Sequence, residues 1–203
     1  MRILPKEFYL DDDVVFLAKE LLGKWLLTEI DGEITGGEII ETEAYKGAED
    51  RACHAFGNRK TERTKVMFDE GGVAYIYFCY GMHNLFNVIT NQEETPHAVL
   101  IRAITPTIGL ETMKKRRKFT KGKQLTTGPG NVCKALCIDK TLNGHPLTHS
   151  PLWIEDRGKS IPEEKICAGP RVGVAYARED ALLPWRFRVQ SLLESHILLE
   201  SQS

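Results

Sequence analysis

The segment Glu41-Thr42-Glu43-Ala44-Tyr45 puts two carboxylates and a phenol within five residues. Asp50, His54, Tyr75, Tyr77, Tyr80 and Asn87 follow, and Arg102 closes the stretch. Four of the six tyrosines fall between positions 45 and 80. A plain core strand favours aliphatic residues, because every buried phenol hydroxyl needs a partner. Tyrosines gathered with a carboxylate, an imidazole and a guanidinium describe a polar pocket with aromatic walls. In such a pocket Glu43 has the chemistry of a general base. Arg102 has that of a cation positioning both the carboxylate and the water it activates. Taken singly, Glu41 and Glu43 also suit a solvated strand face, and His54 a structural hydrogen bond. Their company argues for the pocket.

The elements that must carry these residues follow from periodicity. Residues 11–22 read as a helix: Asp11 to Asp13 cap it, Val14, Leu17, Ala18, Leu21 and Leu22 form its apolar stripe, and Gly23 stops it. Trp25 to Ile30 is strand-like, Asp31-Gly32 signals a tight hairpin, and a return strand from Glu38 to Ala44 delivers Glu43. Alternation places Ile39, Glu41 and Glu43 on one face of it. The charged segment from Lys46 to Phe68 reads as a long loop, which inside a compact fold is often functional. After the Gly71-Gly72 turn, Val73 to Tyr80 is a strand with Tyr75 and Tyr77 on one face. Leu85 to Thr90 and Ala98 to Ile104 form an antiparallel pair. Ile108 to Lys118 is helical, with Leu110 and Met113 facing inward, and Gly128-Pro129-Gly130 opens a helix through Leu136. Leu152 to Glu155, Arg171 to Ala175 and Trp185 to Val189 read as strands, and Ser160 to Pro170 as a loop. The pattern predicts an α+β fold, a single mixed domain over residues 1–203, with a largely antiparallel sheet and helices on the outside.

Composition bounds the function. Net charge is −1, so any nucleic-acid role needs local clustering of cations. Such a cluster exists: Lys114, Lys115, Arg116, Arg117, Lys118, Lys121 and Lys123 put seven positive charges within ten residues. A solvated helix end explains part of this run, and an anionic polymer explains the excess. The five cysteines form no Cys-x-x-Cys pair, which argues against a disulfide framework and for a reducing cytoplasm. Cys133 and Cys137, four apart, have no further ligands at metal-binding spacing and read as buried apolar residues. Met1 to Lys6 lacks the apolar run of a secretory signal, and no segment approaches a membrane span. The expectation is a cytoplasmic protein without membrane partners.

A pocket of this kind suits a planar ring. Stacking a nucleobase on aromatic side chains contributes about 1–3 kcal/mol per base. That offsets the few kcal/mol needed to draw a nucleotide out of a duplex, a cost that falls for damaged bases. Tyr80, at a turn beside Gly81 and Met82, is placed to wedge into the gap left behind. Cleaving the bond from base to sugar develops oxocarbenium character, and a carboxylate beside a held water suffices for it. No lysine nucleophile stands out, so one-step hydrolysis is the simpler chemistry.

The blocks Glu41 to Tyr45, His54, Tyr77, Tyr80-Gly81-Met82, Asn87 and Arg102-Ala103 closely resemble the alkyladenine DNA glycosylase family (3-methyladenine DNA glycosylase, mammalian type). Gly128-Pro129 and Arg171-Val172-Gly173-Val174 match two further blocks, and the likeness spans roughly residues 5 to 190. The resemblance implies a monofunctional glycosylase of base excision repair that leaves an abasic site, built on a curved antiparallel sheet and needing no metal or other cofactor. It implies that Glu43 activates water, with Arg102 and the carbonyl of Val172 holding that water. Tyr45, His54 and Tyr77 would line the base pocket, and Asn87 would exclude guanine. Tyr80 and Met82 would sit at the intercalating turn. Gly128, Gly130, Lys114, Lys115 and Arg116 are the expected contacts to the DNA backbone. The implied partner is duplex DNA containing 3-methyladenine, hypoxanthine or ethenoadenine, bound by a monomer that is nucleoid-associated in a bacterium. Two positions depart from the family pattern: His83 follows Met82 in place of tyrosine, and Asn131 follows Gly130 in place of lysine. Two other readings remain open. A lesion-binding module without chemistry would not need Glu43, and a nucleoside hydrolase would need neither the basic run nor the wedge.

Overall fold

The computed structural model describes residues 2–79, 81–118 and 124–190. Within them ten strands form one antiparallel sheet: β1 (Arg2–Ile3), β2 (Trp25–Ile30), β3 (Glu33–Tyr45), β4 (Ala74–Cys79), β5 (His83–Thr90), β6 (His97–Ile108), β7 (Thr148–His149), β8 (Leu152–Asp156), β9 (Ile166–Gly169) and β10 (Arg186–Val189). The main path runs β1-β8-β2-β3-β6-β5-β4, with β10 joined to β3 and β9, and β7 to β8. Three α-helices are described: α1 (Val14–Glu20), α2 (Leu110–Arg117) and α3 (Pro129–Leu136). The architecture is α+β with a curled antiparallel sheet, as expected.

Local chemistry accounts for most elements. Asp13 caps α1, its carboxylate accepting from the amides of Val15 and Phe16. Asp31 and Gly32 both take positive φ (57° and 75°), as a tight hairpin with the right-handed strand twist requires, and β2 and β3 pair outward from them. Leu17 and Leu21 are fully buried, each contributing roughly 1.5–3 kcal/mol through the apolar area removed from water.

The sheet turns on β3. Its first half pairs with β2, and its second half pairs instead with β10, while β6 follows its other edge from Gly36 to Tyr45. Register shifts interrupt the β3–β6 ladder at Gly36/Gly37, Ile39/Glu41 and Glu41/Thr42. Bulges of this kind bend a strand and re-aim its side chains. One consequence overturns simple alternation: Ile39 joins Ile40 in the main apolar cluster rather than sharing a face with Glu41 and Glu43. That cluster, with Phe86, Val88, Val99 and Ile101 from the sheet and residues of α1 and α3, is covered by the helices. The opposite face of β4 to β6 is covered by the segment after β3. Cys53, Ala55, Met67 and Phe68 pack there on Tyr75, Ile89 and Ala98.

Several sequence expectations need correction. The return strand begins at Glu33, not Glu38, because β2 is there to pair with it. Residues 171–175 are a loop rather than a strand: Gly173 has φ +77° and Arg171 turns its side chain into the protein. Ser160 to Pro170 contains β9, a four-residue strand whose order comes from pairing with β10 rather than from strong propensity. Met113 is buried, but Leu110 is 39% exposed at the start of α2.

Candidate active site

The bulged ladder sets the charged centre. Glu41 lies opposite Ala103 and Thr42 opposite Ile101, so Arg102 is the extra residue on β6. Its side chain reaches both glutamates: Nε donates to Glu41 Oε1 at 3.0 Å, and Nη1 lies 3.3 Å from Glu43 Oε2. Arg186 on β10 stands 3.8 Å from Glu41. Glu43 is 0% exposed. Its Oε1 accepts from the Val172 amide at 2.8 Å, and its Oε2 accepts from the Tyr45 hydroxyl at 2.8 Å. Burial pushes its carboxyl above the ordinary glutamate range. Arg102, the Val172 amide and Tyr45 pull it back, and Glu41 adds to the rise. The outcome is a carboxylate of raised basicity, the direction a general base needs. Val172 meets Glu43 through its N–H, whereas the sequence reading assigned a role to its carbonyl.

A buried ion pair carries the Val172 loop to this place. The Arg171 guanidinium makes a bidentate contact with Asp50 and also donates to the carbonyls of Ala44 at 2.9 Å and Asp180 at 3.1 Å. Both charged side chains are fully buried. Asp50 in turn accepts from the amides of Ala52 at 2.9 Å and Lys46 at 3.2 Å, which pins the turn after β3. The guanidinium also lies over the rings of Tyr45 (4.8 Å) and Trp185 (5.1 Å). Arg171 therefore fixes the loop and the aromatic wall together.

In front of Glu43 opens a cavity of about 560 Å³, lined by Tyr45, His54, Tyr75, Tyr77, Asn87, Arg102 and Val172 among others. Glu43 itself lies behind this wall. The His54 and Tyr77 rings meet edge to face at 4.5 Å, and Tyr75 and Tyr77 lie 5.6 Å apart at 34°. His54 Nδ1 is 3.0 Å from the Tyr75 hydroxyl, and its Nε2 is 3.4 Å from Arg63 Nη2. A guanidinium only donates, so Nε2 accepts and the ring proton sits on Nδ1. Burial, helped by Arg63, lowers the His54 pKa to about 4, so the ring is neutral at pH 7. Asn87 is buried opposite Tyr75 and donates to that residue's carbonyl at 3.1 Å, which fixes the amide at the pocket wall.

The remaining candidates are dispersed. Met82 is 69% exposed in the turn between β4 and β5. Tyr80, expected beside it, lies outside the described residues. Pro129, the first residue of α3, lines the cavity, and Gly128 caps that helix with φ +92°. Gly130 packs so closely that a Cβ there would stand 2.8 Å from the His83 ring. The basic run divides. Lys114 pairs with Glu111 at 2.7 Å, and Lys115 is exposed. Arg116 donates to Thr35, Ala135 and Ile30, and Arg117 to the carbonyls of Leu125 and Gln124. Those two arginines hold α2 to its surroundings. Lys121 and Lys123 lie outside the described residues. Among the described residues, no group of three or more His, Cys, Asp or Glu side chains is placed to hold a metal ion.

The methylpurine-DNA glycosylase (MPG) family profile matches residues 7–192. The chain belongs to this family. A curated protein of Chlamydia abortus is 51% identical over 187 residues, covering 91% of this chain and 97% of its own length. One from Bacillus cereus is 45% identical over 196 residues (90% and 93%), and one from Desulfitobacterium hafniense is 43% identical over 199 residues (94% and 96%). All three carry the name "Putative 3-methyladenine DNA glycosylase". Family membership makes DNA glycosylase chemistry the class of activity, with DNA as the partner.

Three residues of this candidate site carried no assigned role in the sequence. Tyr75 was legible as the neighbour of Tyr77 on the same strand face, and the structure makes it the partner of His54. Arg171 stood in a matching block without an assigned role. Arg63 gave no signal beyond being one of several cations in a loop, yet its guanidinium lies 5.3 Å above the Tyr77 ring.

Proposed function

We propose that this protein is a 3-methyladenine DNA glycosylase that also takes other damaged purines such as hypoxanthine and ethenoadenine. It hydrolyses the N-glycosidic bond with a water activated by Glu43, and an abasic site remains. One observation carries the reading: a basic, sealed carboxylate held by Arg102, Tyr45 and the Val172 amide stands directly behind a cavity walled by aromatic rings.

The damaged nucleotide leaves the duplex, and its base stacks among Tyr45, His54 and Tyr77. Stacking offsets the cost of unstacking. Asn87 narrows the wall against the exocyclic amine of guanine. Tyr80 and Met82 fill the gap in the duplex. Gly128, Gly130, Lys114, Lys115 and Arg116 are assigned to the backbone; Arg116 would act while still bonded within the fold. A carboxylate has about four acceptor directions, and three on Glu43 are in use. Water takes the fourth, while the Tyr45 and Val172 bonds hold the carboxylate in place. Glu43 then takes the proton as the sugar becomes oxocarbenium-like, and the negative centre stabilises that charge. The protein acts as a monomer on chromosomal DNA in the cytoplasm.

The test is single-turnover release of base from a duplex holding one hypoxanthine or ethenoadenine, comparing wild type with Glu43→Gln. Release by wild type, with a loss of at least about 10²-fold in the variant and retained DNA binding, is the expected result. Tight binding without release by either protein, on these duplexes and on methylated DNA, would sink the enzymatic reading.

A further inference from the structure

A second cavity, of about 490 Å³, lies against the first. The two share Cys53, His54, Arg63 and Tyr176 as walls. Arg51, Arg59 and Arg63 all line this second cavity, and no carboxylate does. Arg51 is held in place by Glu179 and Asp180, each at 3.2 Å. Arg59 and Arg63 have no carboxylate partner among the described residues. The contacts of Arg63 are neutral ones: His54, the Tyr75 hydroxyl and the Tyr77 ring. Two uncompensated guanidiniums lining one concavity repel each other, and in a chain of net charge −1 their gathering is local rather than a reflection of overall basicity. Guanidinium forks match phosphate oxygens in both geometry and charge.

Position narrows the anion further. A nucleotide whose base fills the first cavity stays tied through its sugar to two phosphates. These must rest at the rim of that cavity, and Arg63 stands on the wall shared with the arginine-lined one. We propose that the second cavity binds a backbone phosphate next to the extruded nucleotide, gripped by Arg59 and Arg63, with Arg51 fixed as its scaffold. The proposal rests on the reading that the first cavity takes a base. It gives Arg63 two positions. In the structure it covers the Tyr77 ring, and on the phosphate it leaves that ring free for the incoming base, so backbone capture and base entry are coupled.

The experiment measures DNA affinity against salt, in a Glu43→Gln background that prevents turnover, for a duplex holding one hypoxanthine. Arg59→Gln is compared with Arg59 intact, and the comparison is repeated with a neutral methylphosphonate at each phosphate flanking the lesion in turn. Neutralising one phosphate contact should flatten the slope of log affinity against log salt by about 0.9 and weaken binding about ten-fold. At one flanking position the methylphosphonate should erase the difference between the two proteins. At the others the difference should persist. An unchanged slope, or a penalty equal on every methylphosphonate duplex, overturns the proposal. Base release by the protein with intact Glu43, alongside a silent Arg59→Gln, would defeat the phosphate site alone. The full phosphate signature without any base release would defeat the glycosylase reading and leave the site standing.

Discussion

Asp50→Asn isolates what the buried ion pair does for the site. The change keeps the shape of the side chain and removes its charge, leaving the fully buried Arg171 guanidinium without a counterion. Breaking one side of such a pair costs about 3–5 kcal/mol. The carbonyls of Ala44 and Asp180 and the faces of Tyr45 and Trp185 remain to Arg171, which puts the expected loss near the lower figure. At about 2–4 °C per kcal/mol for a chain of this size, the melting temperature should fall by roughly 6–12 °C. A second effect is local. The loop beyond Arg171 carries the amide that donates to Glu43 at 2.8 Å. Losing a hydrogen bond to a charged group is worth about 1.5–3 kcal/mol, so single-turnover base release well below the melting point should drop roughly ten- to hundred-fold. Circular-dichroism melts of wild type, Asp50→Asn and the double variant Asp50→Leu/Arg171→Met make the comparison. The double variant should melt above the single one, because it leaves no unpaired buried charge. An Asp50→Asn protein melting within about 2 °C of wild type, or releasing base at the wild-type rate, would refute the assignment of this pair as the anchor of the Val172 loop.

Two further outcomes follow from the same geometry. The His54 pKa is depressed to about 4 in the folded protein, against 6.5 as its ordinary value, so the folded state binds fewer protons than the unfolded one between those limits. The stability this neutral ring contributes is present above about pH 6.5 and is lost as pH falls toward 4, by up to about 3 kcal/mol. Melting curves of wild type should therefore fall more steeply across that window than those of His54→Gln, and parallel curves would exclude this linkage. At Gly37 an added Cβ would stand 2.0 Å from the Thr105 carbonyl oxygen. Gly37→Ala should cost about 3 kcal/mol or more by displacing the β3–β6 ladder. Gly32→Ala, with φ +75° and open space around it, should cost only about 1 kcal/mol. Equal denaturation midpoints for the two variants would contradict that account.

How far the chain could be read before its structure depends on the range of the interaction concerned. The cap at Asp13, the Asp31-Gly32 hairpin, the extent of β2, the β5–β6 pair and the start of α3 follow from residues a few positions apart. Each was legible because short-range sterics and capping bonds decide it. The family blocks likewise marked Glu43, Arg102 and the aromatic pocket. Tertiary structure alone decided the rest. The β3 strand exchanges β2 for β10 along its length, and bulges make Arg102 the extra residue between two glutamates, because ladder register is set by a partner some sixty residues away. The loop at Arg171–Gly173 resembles a strand in sequence, yet a carboxylate 121 residues distant draws its arginine inward and turns the Val172 amide onto Glu43. Arg63 is one more loop cation until the fold lays it across Tyr77. By itself the sequence determined the family, the local elements and the chemical groups. The long-range pairing of strands and buried charges decided which atoms of those groups face one another, since burial supplies the low dielectric that makes such distant partners strong.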